Sequence, residues 1–173
     1  HYAVQKLASE HYCSVYRRLY GLNAICLRYF NIFGPRQRAD SPYSGVIARF
    51  IDKAKKGQPI TIYGDGSQIR DFCPVANVVC ANIAAATLTH FPAELSVFNV
   101  GTGFPISLRE MVTTLSSASI NSLKVIFGPK RFGEIHTSMA DIESARQWLG
   151  FQPNHSFKNA IKELMNYYFA NNV

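Results

Sequence analysis

The 173-residue sequence has no apolar run approaching the roughly 20 residues a membrane-spanning helix needs. Its first residues show no basic-then-apolar pattern of a secretory signal, so neither membrane insertion nor secretion is expected. Its four cysteines, Cys13, Cys26, Cys73 and Cys80, form no C-x-x-C pair and no ladder of short spacings. That spacing indicates neither a disulfide framework nor a structural zinc site. They are expected as buried or half-buried free thiols in a reducing compartment, which points to the cytoplasm. The five histidines are scattered, with no H-x-x-x-H pair, and no metal site is expected. Charged residues are only 17% of the total, but their balance is a net +7. The densest basic groups, Lys53/Lys55/Lys56 and Lys130/Arg131, are too small for a dedicated nucleic-acid surface. A phosphate-bearing small molecule is a better partner for dispersed arginines and lysines.

Hydrophobic residues make up 47% of the chain, enough for a domain with a real core. Val4, Ala8, Tyr12, Val15, Tyr16 and Leu19 recur near 3.6 residues and predict an amphipathic helix over 3–20, stopped by Gly21. Ala24 to Phe30 reads as a buried parallel strand ended by Gly34-Pro35. A polar loop over 36–44 leads to a helix over 45–56, a strand over 60–63 and a turn at Gly64-Asp65-Gly66. Residues 69–73 are expected as a strand and 75–89 as a well-packed helix. A buried strand over 97–100 is followed by Ser107, which with Glu110 forms a capping box. Further expectations are a strand over 124–127, a helix over 142–149 stopped by Gly150, and a last helix capped by Ser156 and running to about Ala170. Helices and strands alternate, so the class is α/β.

Tyr2 and Lys6 stand four apart on the first helix, on one face. An ammonium beside a phenol stabilises the phenolate, which makes a usable base. By itself this spacing is as well explained by a surface contact. Downstream, however, lie Leu27-Arg28-Tyr29-Phe30-Asn31-Ile32-Phe33-Gly34-Pro35, Ile62-Tyr63-Gly64-Asp65-Gly66 and Arg70-Asp71-Phe72. Phe98-Asn99-Val100-Gly101-Thr102-Gly103, Arg131-Phe132-Gly133-Glu134 and Ala140-Asp141 follow. This ordered set, spread over the whole chain, resembles the extended short-chain dehydrogenase/reductase family, and within it the NAD-dependent nucleotide-sugar epimerases and dehydratases.

The resemblance implies a role for each matching residue. Tyr2 is then the catalytic base for the sugar 4-hydroxyl. Lys6 holds the nicotinamide ribose and favours the phenolate, and Tyr29 and Phe30 line the nicotinamide end of the NAD site. Asn31, Arg70 and Arg131 bind the diphosphate, consistent with the bidentate fork of a guanidinium. Glu134 holds the ribose hydroxyls, while Val46 and Tyr63 form the uracil pocket. Phe30 and Val46 read equally as core residues. Ser138 falls where a bulky residue restricts the sugar pocket and a small one admits a 2-acetamido group. The implied activity is C4 epimerisation of a UDP-hexose, UDP-N-acetylglucosamine and UDP-N-acetylgalactosamine, through a 4-keto sugar. Alternatives are a 4,6-dehydratase or decarboxylase of the same family, or a truncated, non-catalytic nucleotide-sugar-binding module. The sequence departs from the family pattern at His1, Pro74, Ala76, Phe132 and His136.

The family's glycine-rich NAD turn has no counterpart here; Gly64-x-Gly66 and Gly101-x-Gly103 lack the strand–turn–helix context. The chain opens on His1 with a helical pattern already running, and is expected to be the carboxy-terminal part of a longer protein. Residues 1–33 are then the end of a Rossmann domain, and 34–173 mainly a small α/β substrate-binding domain. Residues 75–103 are expected to return to the Rossmann sheet. A homodimer through the first helix, with Tyr12, Tyr16 and Tyr20 in the seam, is implied as well.

Overall fold

The computed structural model describes residues 1–41, 44–90, 96–119 and 123–169. The elements are α1 (Tyr2–Tyr20), β1 (Cys26–Tyr29), β2 (Ile32–Phe33), α2 (Val46–Lys55), β3 (Ile60–Tyr63), β4 (Ile69–Arg70), β5 (Cys73–Pro74) and α3 (Val75–Ala86). They continue as β6 (Val97–Val100), β7 (Ile106–Ser107), α4 (Leu108–Ala118), β8 (Val125–Gly128), β9 (Thr137–Ser138), α5 (Glu143–Leu149) and α6 (Phe157–Phe169). The α/β alternation is as read from the sequence. Ala170, the expected end of the last helix, lies outside the described residues.

Two cores organise these elements. The first gathers Ile47, Phe50 and Ile51 of α2, Ile60 and Ile62 of β3, Met111 and Leu115 of α4, and Ile161 and Met165 of α6. The second joins Val78 and Ala81 of α3 to Phe98 and Val100 of β6 and to Ala145 and Leu149 of α5. Each fully buried Leu, Ile, Met or Phe contributes on the order of 1.5–3 kcal/mol. The capping box at α4 forms as the sequence predicts. Glu110 N–H donates to Ser107 Oγ at 3.1 Å, and Ser107 N–H donates to Glu110 Oε2 at 2.7 Å. Ser156 caps α6 through its hydroxyl, which accepts from Asn159 N–H at 3.3 Å.

Residues 69–73 do not form one strand. β4 lies between β7, antiparallel to it, and β9, parallel to it, whereas β5 pairs with β2 in a different sheet. The cause is Asp71, which is 0% exposed. Its carboxylate accepts from Thr102 N–H at 2.9 Å, Thr102 Oγ1 at 2.6 Å, Gly103 N–H at 2.9 Å and Ala140 N–H at 3.3 Å. A buried carboxylate needs such a set of donors, and satisfying it holds the chain at the crossing between sheets. A side chain at Gly101 would place its Cβ 2.6 Å from Asp71 Oδ2 and 2.5 Å from Ala140 Cβ, so only glycine fits there.

Three further expectations change. β1 pairs in parallel with β6, yet Arg28 and Tyr29 are exposed, because among the described residues β6 is its only strand neighbour. α3 buries Asn77, Val78 and Ala81 and leaves Val75, Val79 and Ile83 exposed. Apart from Asn77 and Asn82 it is apolar on both faces, and one face is covered. Cys80 sits on that exposed face, unlike Cys13 and Cys26, which are half-buried, and Cys73, which is buried. Burial pushes the Cys73 thiol up to about 12. Burial and the neighbouring Cys13 push Cys26 to about 11, so neither is a thiolate near neutrality. Among the described residues, no helix is long and apolar enough to cross a membrane, and no group of His, Cys, Asp and Glu is set to hold a metal.

Candidate active site

Six of the side chains singled out from the sequence line one cavity of about 480 Å³. Asn31 reaches it from the turn between β1 and β2, and Val46 from the first position of α2. Tyr63 stands at the end of β3, Arg70 in β4, and Arg131 and Glu134 in the loop between β8 and β9. Asn31 is braced by its own amide, which donates to the Asp71 carbonyl at 3.1 Å. The crossing that splits the predicted strand therefore also positions a site residue.

The two arginines are supported differently. Arg70 Nη1 donates to the carbonyls of Ile69 at 2.8 Å and His136 at 3.2 Å, and Nη2 stands 3.7 Å from Glu134 Oε1. The Arg131 guanidinium lies over the Tyr63 ring, 3.7 Å from its centroid, in a cation–π stack. Between these supports is Gln68, which sequence reasoning did not select. It is 4% exposed, and its Nε2 donates to the Tyr63 carbonyl at 2.6 Å and to Glu134 Oε2 at 3.1 Å. The available signal was its place two residues before Arg70, the spacing that puts two side chains on one face of an extended segment. Arg49 and Lys53, a helical turn apart on α2, also line this cavity and were not singled out. Four cationic side chains against one carboxylate give this cavity a positive lining, a chemistry suited to a multiply charged anion.

A second cavity of about 370 Å³ adjoins the first, sharing Asn31, Gly45 and Val46 with it, and holds Tyr2 and Tyr29. Lys6 Nζ stands 5.5 Å from the centre of the Tyr2 ring. Tyr29 donates its hydroxyl to Asn82 Oδ1 at 3.0 Å, which links the end of β1 to α3. The helix carrying Tyr2 is fastened to β1 by a two-pronged ion pair. Arg28 Nε meets Glu10 Oε1 at 2.7 Å, and Arg28 Nη2 meets Glu10 Oε2 at 2.6 Å. Hydrogen bonding and charge from Arg28 hold the Glu10 carboxyl below its ordinary 4.5.

Three selected residues line neither cavity: Lys6, which is placed by its contact with the Tyr2 ring, Phe30 and Ser138. Phe30 packs against the second core. Ser138 is the strand partner of Arg70 in the β4–β9 pair, and its carbonyl accepts from Asp71 N–H at 3.0 Å.

A family model for the NAD-dependent epimerase/dehydratase family matches residues 1–101. The chain belongs to the NAD-dependent epimerase/dehydratase family. Among its relatives, the UDP-glucose 4-epimerase of Mycolicibacterium smegmatis is 35% identical over 168 residues, 96% of this chain and 52% of the relative. The UDP-N-acetyl-alpha-D-glucosaminuronate decarboxylase of Bacillus cytotoxicus is 34% identical, over 96% of this chain and 52% of the relative. The UDP-N-acetylglucosamine 4-epimerase of Methanobrevibacter ruminantium M1, solved in complex with UDP-N-acetylmuramic acid, superposes with a TM-score of 0.89 at 34% identity. That match covers 98% of this chain and 53% of the solved one. The chain spans about half the length of the curated relatives it matches.

Proposed function

We propose that this chain is the carboxy-terminal part of an NAD-dependent 4-epimerase that interconverts UDP-N-acetylglucosamine and UDP-N-acetylgalactosamine. The observation that carries the reading is the convergence of Asn31, Val46, Tyr63, Arg70, Arg131 and Glu134 on one cavity that opens beside Tyr2 and Tyr29. In this reading Arg70 and Arg131 offset the diphosphate charge, and Asn31 hydrogen-bonds it. Glu134 accepts from the ribose hydroxyls, Val46 and Tyr63 flank the uracil, and Ser138 leaves room for the 2-acetamido group. Tyr2 takes the proton of the sugar 4-hydroxyl, and Lys6 stabilises the phenolate that does so.

The residues present also fit the nicotinamide end of NAD. Tyr2 and Tyr29 bring two phenols to the second cavity and Lys6 holds its ammonium by the Tyr2 ring, a donor set suited to ribose hydroxyls and a carboxamide. Bound NAD supplies the hydride acceptor and donor, so the sugar passes through a 4-keto form with no net redox change. The parallel β1–β6 pair supports assigning residues 1–33 and 75–103 to the cofactor-side sheet, and the rest of 34–173 to the substrate side. The exposed apolar side chains of α1 and α3 then face the cofactor-binding part and, through Tyr12, Tyr16 and Tyr20, a second copy of the protein.

The test is to follow UDP-N-acetylglucosamine by NMR in the presence of the natively expressed protein. Formation of the galacto epimer is expected. A 4-keto-6-deoxy product, or loss of carbon dioxide from the uronic acid analogue, would reassign the chain to a dehydratase or decarboxylase. UDP binding without turnover would make it a binding module. Ser138→Tyr is expected to abolish turnover of the N-acetylated sugars and spare UDP-glucose, and equal loss on both would remove Ser138 as the gate.

A further inference from the structure

We propose that Gln68 is the residue that sets the diphosphate-binding geometry of this site, acting through Glu134 and Tyr63 as a positioning residue; this rests on the nucleotide-sugar reading above. The orientation of its amide is decided by its surroundings. Nε2 faces two acceptors, the Tyr63 carbonyl at 2.6 Å and Glu134 Oε2 at 3.1 Å. Turning the amide over would set an oxygen against both of them. The opposite atom, Oε1, is buried with no hydrogen-bond partner among the described residues. A buried acceptor without a partner leaves its desolvation uncompensated. An apolar side chain of similar size would avoid that cost, so the amide's contribution is to be sought in its two donated bonds rather than in stability.

Both bonds end on residues that support the arginines, on the backbone of Tyr63 and on the carboxylate of Glu134. Tyr63 carries the stacked Arg131, and Glu134 stands against Arg70. One amide thus spans the two halves of the site, tying the end of β3 to the β8–β9 loop. Gly64 makes the room for it. With φ at +73°, a Cβ at this position would stand 3.2 Å from Gln68 Nε2, so the tight turn and the seating of the amide call for the same glycine. Without the amide, Glu134 keeps Arg70 as its neighbour and is free to turn onto it, which removes the carboxylate from the ribose and draws the guanidinium away from the phosphates.

The test is a double-mutant cycle on UDP binding, by titration calorimetry on the natively expressed protein, with NAD affinity as the control. Gln68→Met is expected to raise the Kd for UDP about tenfold, leave NAD affinity within twofold, and raise KM while kcat holds. In a Glu134→Gln background the same change is expected to add less than twofold, because its effect runs through that carboxylate. UDP affinity unchanged in Gln68→Met, an effect that multiplies in full with Glu134→Gln, or equal loss of UDP and NAD would each overturn the proposal. If the methionine variant does not fold, Gln68→Leu, which likewise lacks the donor and adds no charge, takes its place in the cycle and is judged by the same outcomes. A native protein that does not bind UDP at all would instead remove the nucleotide-sugar reading itself.

Discussion

The two adjoining cavities rest on the same core but differ in the helix that completes each of them. Around Arg70, Arg131 and Glu134 the walls are α2 and β3, whose inner faces belong to a core shared with α4 and α6. The cavity holding Tyr2 shares Phe33, Ile47 and Phe72 with that core, but Tyr2 itself comes from α1, none of whose residues is buried. α4 buries Leu108, Met111, Val112 and Leu115 within 11 residues, while α1, with 19, is joined to β1 through Glu10 and Arg28. The contrast shows which half of the proposed chemistry this chain stabilises by its own packing. The half proposed to bind the diphosphate stands on buried side chains. The half bearing the proposed base rests on a partly exposed ion pair.

The largest expected effects separate these halves functionally. Tyr2→Phe is expected to lower turnover by roughly 10²–10⁴ while leaving UDP affinity within twofold. Arg131→Ala is expected to do the converse, weakening UDP binding by about 10–100-fold, since a charge-assisted bond is worth roughly 1.5–3 kcal/mol. Single-turnover rates and titration calorimetry read the two quantities, and a Tyr2 variant that loses UDP affinity equally would break the comparison.

Next come the two packing regimes. Met111→Ala, at a position 0% exposed, is expected to cost about 2–5 kcal/mol in denaturant unfolding. Leu19→Ala, on exposed α1, is expected to change stability by no more than about 0.5 kcal/mol. Comparable losses at both positions would mean that α1 is covered in the folded protein.

The smallest effect concerns the ion pair. Because the folded Glu10 carboxyl is held below its ordinary 4.5, its stabilisation is present above that value and is lost as pH falls through the lower folded value. Arg28 is half exposed, so solvent screening limits the pair to less than about 1 kcal/mol. Glu10→Gln is expected to lose that amount at neutral pH and nothing in strong acid, measured as the pH dependence of α1 hydrogen exchange. A constant difference across the range would show that the carboxylate's charge is not what holds the helix.

Much of the molecule was legible before any coordinates. Helix spans followed from 3.6-residue spacing and from Gly21, Gly150, Ser107 and Ser156, because caps and stops act within a few residues of themselves. The two-residue strands β2, β7 and β9 were not legible, since a pattern of period two needs more residues than they have. The split of residues 69–73 was hidden for a different reason: the donors that hold Asp71 lie about 30 and 70 positions away along the chain.

The site divides along the same line. The sequence by itself determined the chemical inventory, the phenol and ammonium at Tyr2 and Lys6 and the guanidinium forks at Arg70 and Arg131. Those properties belong to residue types at local spacings. Only the tertiary structure decided that six selected residues share a cavity, that Phe30 packs against a core, and that Ser138 is the strand neighbour of Arg70 outside both cavities. It alone revealed Gln68, because a glutamine in a turn acquires its meaning from Tyr63 and Glu134, which folding brings to either side of its amide.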